Sequence, residues 1–68
     1  MPWTNTNSSM IGSYEYDPDM RVLHVRFSSN GETRSYQGVP PELAAEFVAA
    51  PSMGKFFHNK IRDQYRAL

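Results

Sequence analysis

Residues 22–37 read VLHVRFSSNGETRSYQ, and this stretch decides the fold. Leu23, Val25 and Phe27 alternate with His24 and Arg26, the period-two signature of a strand with one buried face. Asn30-Gly31 tolerates positive φ at both positions and marks a two-residue hairpin turn. A third strand, about residues 32–37, follows the turn. If Asn30 and Gly31 are its two central residues, Ser29 faces Glu32, Phe27 faces Arg34, Val25 faces Tyr36 and His24 faces Gln37. Opposed residues share a sheet face, so Tyr36 joins Leu23, Val25 and Phe27 on the core side. His24, Arg26, Ser35 and Gln37 form the wet side.

Working back from this hairpin, Tyr14 and Tyr16 alternate with Ser13 and Glu15, which predicts a first strand over residues 10–16. Asp17-Pro18-Asp19 supplies the turn between them, since Pro18 fixes its own φ and aspartates bond nearby amides. The register of this first strand stays open, because its turn has room for three or four residues. Residues 1–9 are polar and are expected to be a flexible N-terminal segment ahead of a single domain over 10–68. Trp3 is the exception there, an aromatic able to fold back on the core.

Working forward, Gly38-Val39-Pro40-Pro41 ends the sheet. Pro41 suits the first helical position and Glu42 favours the positive helix end. Leu43, Ala44, Phe47 and Val48 recur at helical spacing, so a helix of about ten residues should end near Pro51. Ser52 then caps a second helix expected to run to the C-terminus. Met53, Phe57, Ile61 and Tyr65 form its apolar stripe. Lys55, His58, Arg62 and Arg66 form a second, basic stripe about 120° around the same helix. The expected fold is α+β: a three-stranded antiparallel β-meander followed by two α-helices packed on one face. Leu23, Val25, Phe27, Tyr36, Leu43, Phe47, Phe57 and Ile61 should be its core.

The chain has 68 residues, no cysteine and a formal net charge of zero. That length supports one core, and the missing cysteine excludes disulfides and thiolate zinc sites. No apolar run approaches the roughly 20 residues of a membrane span, and no secretory leader is recognisable at the N-terminus. A cytoplasmic setting with no membrane partner is expected. The zero net charge hides a segregation. Residues 1–50 carry three cations against six carboxylates, and residues 51–68 carry four cations against Asp63 alone.

Several motifs together carry a family resemblance. Ser8-Ser9 and Ile11 precede Tyr16-Asp17, then come Leu23, Val25, Phe27 and Gly31. Tyr36 and Gly38-Val39-Pro40 follow, and the stretch APSMGKFFHNKIRDQY closes the set. In these features the chain resembles the KTSC domain, a short family of bacterial and phage single-domain proteins. The family is named for an appendage at the C-terminus of some lysyl-tRNA synthetases. The chain departs from the family pattern at Arg34, where the family has the first of two tyrosines spaced one residue apart. The resemblance implies a small α+β domain without known enzymatic activity, for which an RNA-binding role has been suggested.

Catalytic chemistry finds little support in the residues. His24 and His58 are the only histidines, and no serine sits in a nucleophile-elbow context. On a helix, Asp63 lies about 140° from His58, so the two do not share a face with Ser52 as a triad would need. No ligand spacing suggests a metal, and no cofactor is expected. Gly54, behind Ser52, either leaves amides free at a helix start or lets the helix pack closely. The packing role is the ordinary one.

The basic stripe is the strongest functional signal, although such a stripe is ordinarily only a solvated face. Lys55, His58, Arg62 and Arg66, with Tyr65 beside them, are the candidate contacts to RNA or another single-stranded nucleic acid. The alternative is a protein–protein interaction module, docking through a sheet edge or through an apolar patch around Trp3, Phe56 and Leu68.

Overall fold

The computed structural model describes residues 3–6 and 8–68. Four strands, β1 (Thr4–Asn5), β2 (Ile11–Asp17), β3 (Val22–Phe27) and β4 (Thr33–Tyr36), lie in sequence order in one antiparallel sheet. Helix α1 (Pro41–Ala49) follows, then α2 (Met53–Phe56), which widens into a π-helical turn over Phe57–Ile61. The architecture is α+β with four strands, one more than the alternation of apolar residues announces. The extra strand comes from the segment expected to be flexible. Thr4 pairs with Tyr14 and Asn5 with Ser13, and the Thr6 amide donates to the Gly12 carbonyl at 3.0 Å. A strand of two polar residues has no hydrophobic period, so only its backbone pairing reveals it.

The β3–β4 hairpin is slipped by two residues from the expected register. Leu23 faces Tyr36, His24 faces Ser35, Val25 faces Arg34 and Arg26 faces Thr33. The Phe27 amide donates to the Glu32 carbonyl at 2.9 Å, so the loop has four residues, not two. Only Gly31 of the loop takes a positive φ, +70°, while the Asn30 carboxamide oxygen accepts from the Glu32 amide at 2.9 Å. Asn30 therefore serves as a side-chain acceptor within the turn and Gly31 as its left-handed closing residue. A slip of two preserves every side chain's face, whereas a slip of one would invert them all. Tyr36 remains in the core for this reason.

In β2 a bulge at Gly12 repairs a parity conflict. Ile11 pairs with Phe27 and Ser13 with Arg26, so one extra residue lies between them. Strict alternation would put Ile11 on the face opposite Tyr14 and Tyr16. The bulge returns it to the core face, where it is fully buried.

The turn into β3 follows the expected chemistry, with the Asp17 carboxylate accepting from the Asp19 and Met20 amides at 3.0 and 3.2 Å. Pro41 opens α1 as its first residue.

Both helices cover one face of the sheet. Ile11, Leu23, Val25, Tyr36, Val39, Ala44, Phe47, Phe57 and Ile61 form the buried cluster. Phe27 and Leu43, expected inside, are half-buried against it. Ile11, Val39 and Ala44 join unannounced. Gly54 does allow a close approach, since a Cβ there would meet the Met10 sulfur at 3.2 Å.

The second helix does not reach the C-terminus. Its last turn carries the bond from the Arg62 amide to the Phe57 carbonyl at 2.9 Å, a five-residue step that marks the π turn. Beyond it the chain doubles back along the free edge of β4. Ala67 bridges Tyr36, the Gln37 amide donates to the Arg66 carbonyl at 3.1 Å and the Leu68 amide to the Ser35 carbonyl at 2.7 Å. Buried Phe57 and Ile61 hold the helix down, while the unpaired edge of β4 recruits residues 66–68. Among the described residues, no helix is long and apolar enough to cross a membrane.

Candidate nucleic-acid interface

The five residues singled out for nucleic-acid contact do not form one stripe. Ser52 caps the second helix, its hydroxyl accepting from the Lys55 amide at 3.4 Å. One turn on, Arg62 Nη1 donates to His58 Nδ1 at 3.0 Å. That bond requires a lone pair at Nδ1, so the His58 proton sits on Nε2. Lys55, His58 and Arg62 are all exposed along the helix. Lys55 and His58 border a shallow groove that also includes Ser9, Met10, Ser52 and Asn59.

Arg66 and Tyr65 depart from this cluster because the helix ends first. Arg66 lies in the segment paired to β4, opposite Gln37, and alternation carries it to the sheet face away from the helices. Tyr65 follows the π turn and is half-buried against the core.

A second depression adjoins the first. It measures about 410 Å³ and lies between β4 and the end of the π turn. Its base is the edge of an aromatic cluster. Phe27 and Tyr36 both meet Phe57 edge to face, with ring centroids 5.5 and 5.4 Å apart. Of the three residues only Phe27 is partly rather than fully buried. The rim is charged. Arg34 Nη2 stands 2.9 Å from Glu32 Oε1 on one side, both about half exposed, and Arg62 and Asp63 stand on the other.

Burial pushes the Tyr36 hydroxyl above its ordinary 10.0. The Arg34 and Arg62 guanidiniums oppose that shift and the Asp63 and Glu32 carboxylates add to it. All four rim charges are thus within electrostatic reach of one buried hydroxyl. Periodicity could not have revealed this depression, because it forms where the hairpin meets the helix end.

The outer sheet face is built differently. Thr4 faces the core side, so Trp3 lies on the other face, against the expectation that it folds back on the core. The Arg26 guanidinium sits 4.5 Å from the Trp3 ring centroid, and the His24 and Trp3 ring centroids lie 6.3 Å apart with the planes inclined at 60°. His24 Nδ1 and the Ser35 hydroxyl are 2.6 Å apart. The apolar patch of Trp3, Phe56 and Leu68 does not assemble. Trp3 is at the β1 edge, Leu68 is at the β4 edge, and Phe56 packs on Phe47 at 6.1 Å. Among the described residues, no group of three or more His, Asp or Glu is arranged to hold a metal ion.

Comparison with known proteins is consistent across sequence and structure. The chain is 38% identical over 58 residues to an uncharacterised protein of Stutzerimonas stutzeri, covering 85% of this chain and 80% of that one. It is 34% identical over 65 residues to a lysine–tRNA ligase of Nostoc sp., covering 96% of this chain but only 11% of the ligase. A crystal structure of a KTSC domain protein from Yersinia pestis superimposes with a TM-score of 0.92 at 36% identity, covering 98% of this chain and 93% of that one. The defining pattern of the KTSC domain matches residues 7–65. With the sheet, both helices and the terminal APSMGKFFHNKIRDQY block inside these matches, the chain belongs to the KTSC domain family.

Proposed function

We propose that this domain is a non-catalytic accessory module that binds RNA through Lys55, His58 and Arg62. The observation that carries the reading is the convergence of these three exposed side chains on one helix. Ser52 caps that helix, and Phe57 and Ile61 anchor it from below. Lys55 and Arg62, the two cations of the set, stand on an anchored helix, so only their own side chains have to be ordered against a phosphate backbone. A hydrogen-bond donor from Arg62 already occupies His58, so the pair acts as one unit towards a phosphate. The similarity to part of a lysine–tRNA ligase supports RNA over other polyanions, and a cytoplasmic setting goes with it.

The two cations Lys55 and Arg62, with His58 adding a donor at Nε2, predict weak binding with modest salt dependence, a slope of about −1.4 in log K against log salt for a single strand. Anisotropy titration of a short fluorescent RNA at low and moderate salt tests this. Lys55→Ala with Arg62→Ala should weaken binding evenly across sequences and flatten the slope by about 0.7 per lost contact. Both residues are exposed, so the fold should survive. No binding by the folded wild-type domain at low salt would sink the reading and leave a protein partner as the working alternative.

A further inference from the structure

We infer that the depression between β4 and the π turn is a pocket for one unpaired guanine of the bound strand. The inference rests on the RNA-binding reading and names the part of the RNA that gives it sequence preference. The depression, about 410 Å³, falls within the size range of sites that hold small molecules. Its base is apolar and aromatic, with Phe27 only partly buried, which suits the face of a base. Its rim offers two guanidiniums, which only donate hydrogen bonds, and two carboxylates, which only accept them.

Guanine is the base that uses both. Its O6 and N7 accept from an arginine fork, and its N1–H and exocyclic amine donate together to a carboxylate. The adjacent pair Arg34 and Glu32, 2.9 Å apart, presents a donor and an acceptor side by side. Uracil has no exocyclic amine to offer, and adenine has no N1–H.

Position relative to the helix cations supports the same occupant. Met10 borders both the depression and the groove beside Lys55 and His58. Arg62 stands on the rim of the depression and bonds His58 at 3.0 Å. A phosphate held by Lys55 and His58 therefore lies next to a base seated on Phe27, as successive parts of one strand must.

The test compares oligouridine strands of equal length carrying one central guanine or one central adenine, by anisotropy. The guanine strand should bind about tenfold more tightly, the lower part of the range for a bidentate base contact. Glu32→Gln should abolish that preference while leaving the salt slope unchanged. Loss of a negative charge alone would instead tighten binding to both strands equally. Asp63→Asn serves as a second variant, and circular dichroism confirms that both fold. Trp3, the chain's only tryptophan, lies on the outer face, so its emission should not change on binding. Equal affinity for both strands with a normal salt slope overturns the pocket and leaves RNA binding intact. A guanine preference that survives both variants also overturns it. Absence of binding to either strand removes the pocket together with the reading beneath it.

Discussion

The β3–β4 hairpin and the last sixteen residues both carry clear side-chain patterns, yet the outcomes differ. In the hairpin the alternation of Leu23, Val25 and Phe27 survived a two-residue error in register, because every face was preserved. At the C-terminus the spacing of Met53, Phe57, Ile61 and Tyr65 continued to the end, but the helix did not. The difference lies in the competition for backbone hydrogen bonds. Strand β3 has partners on both sides, so nothing draws it elsewhere. Residues 66–68 had a choice between extending a helix and pairing with an open edge of β4, and the edge took them. A side-chain period decides a segment only while no neighbouring edge makes a better offer to its backbone.

The comparison breaks most severely at Phe57. This ring is 1% exposed and touches both Phe27 and Tyr36, so it joins helix to hairpin. Phe57→Ala should cost roughly 3–5 kcal/mol, enough to unfold much of so small a domain, as read by denaturant titration. A variant that keeps the wild-type midpoint would show that the two regions are stabilised independently.

A smaller effect should come from the terminal pairing. Leu68→Pro removes the amide that donates to Ser35, and should cost about 1 kcal/mol while speeding hydrogen exchange at Gln37. If the chain end were only a frayed helix terminus, the same change would be silent in both measurements.

The subtlest probe is alkaline pH. The Tyr36 hydroxyl is raised above its ordinary 10.0 in the folded state, chiefly by burial. The unfolded chain therefore loses this proton first. The stabilisation is complete below about pH 10 and is lost as pH rises towards the folded-state value. Tyr36→Phe should flatten the fall in stability over that window. It should not abolish it, because burial also raises Tyr16, whose hydroxyl donates to the Val39 carbonyl at 2.6 Å. An unchanged alkaline slope in the variant would mean that Tyr36 is not sealed by the segment lying against β4.

Much of the candidate site was legible for the same local reasons as the hairpin. Lys55, His58 and Arg62 share a side of the helix because they are three and four residues apart, and the Ser52 cap comes from a hydroxyl residue ahead of an apolar repeat. Arg66 and Tyr65 were misplaced because their positions assumed a helix that stops at Ile61. Trp3 was misplaced because its side depends on β1, which is visible only as backbone pairing with β2.

By itself, then, the order of residues determined the properties that depend on near neighbours. These are the buried face of each strand, the apolar side of each helix, the Asp17 turn and the Pro41 helix start. They arise from steric and hydrogen-bonding preferences acting over a few residues. Tertiary structure alone decided the strand register, the Gly12 bulge, the end of the second helix and the charged rim around Phe27. Each of those sets one segment's backbone or charges against another's. The relative strength of two such claims exists only once both segments are in contact.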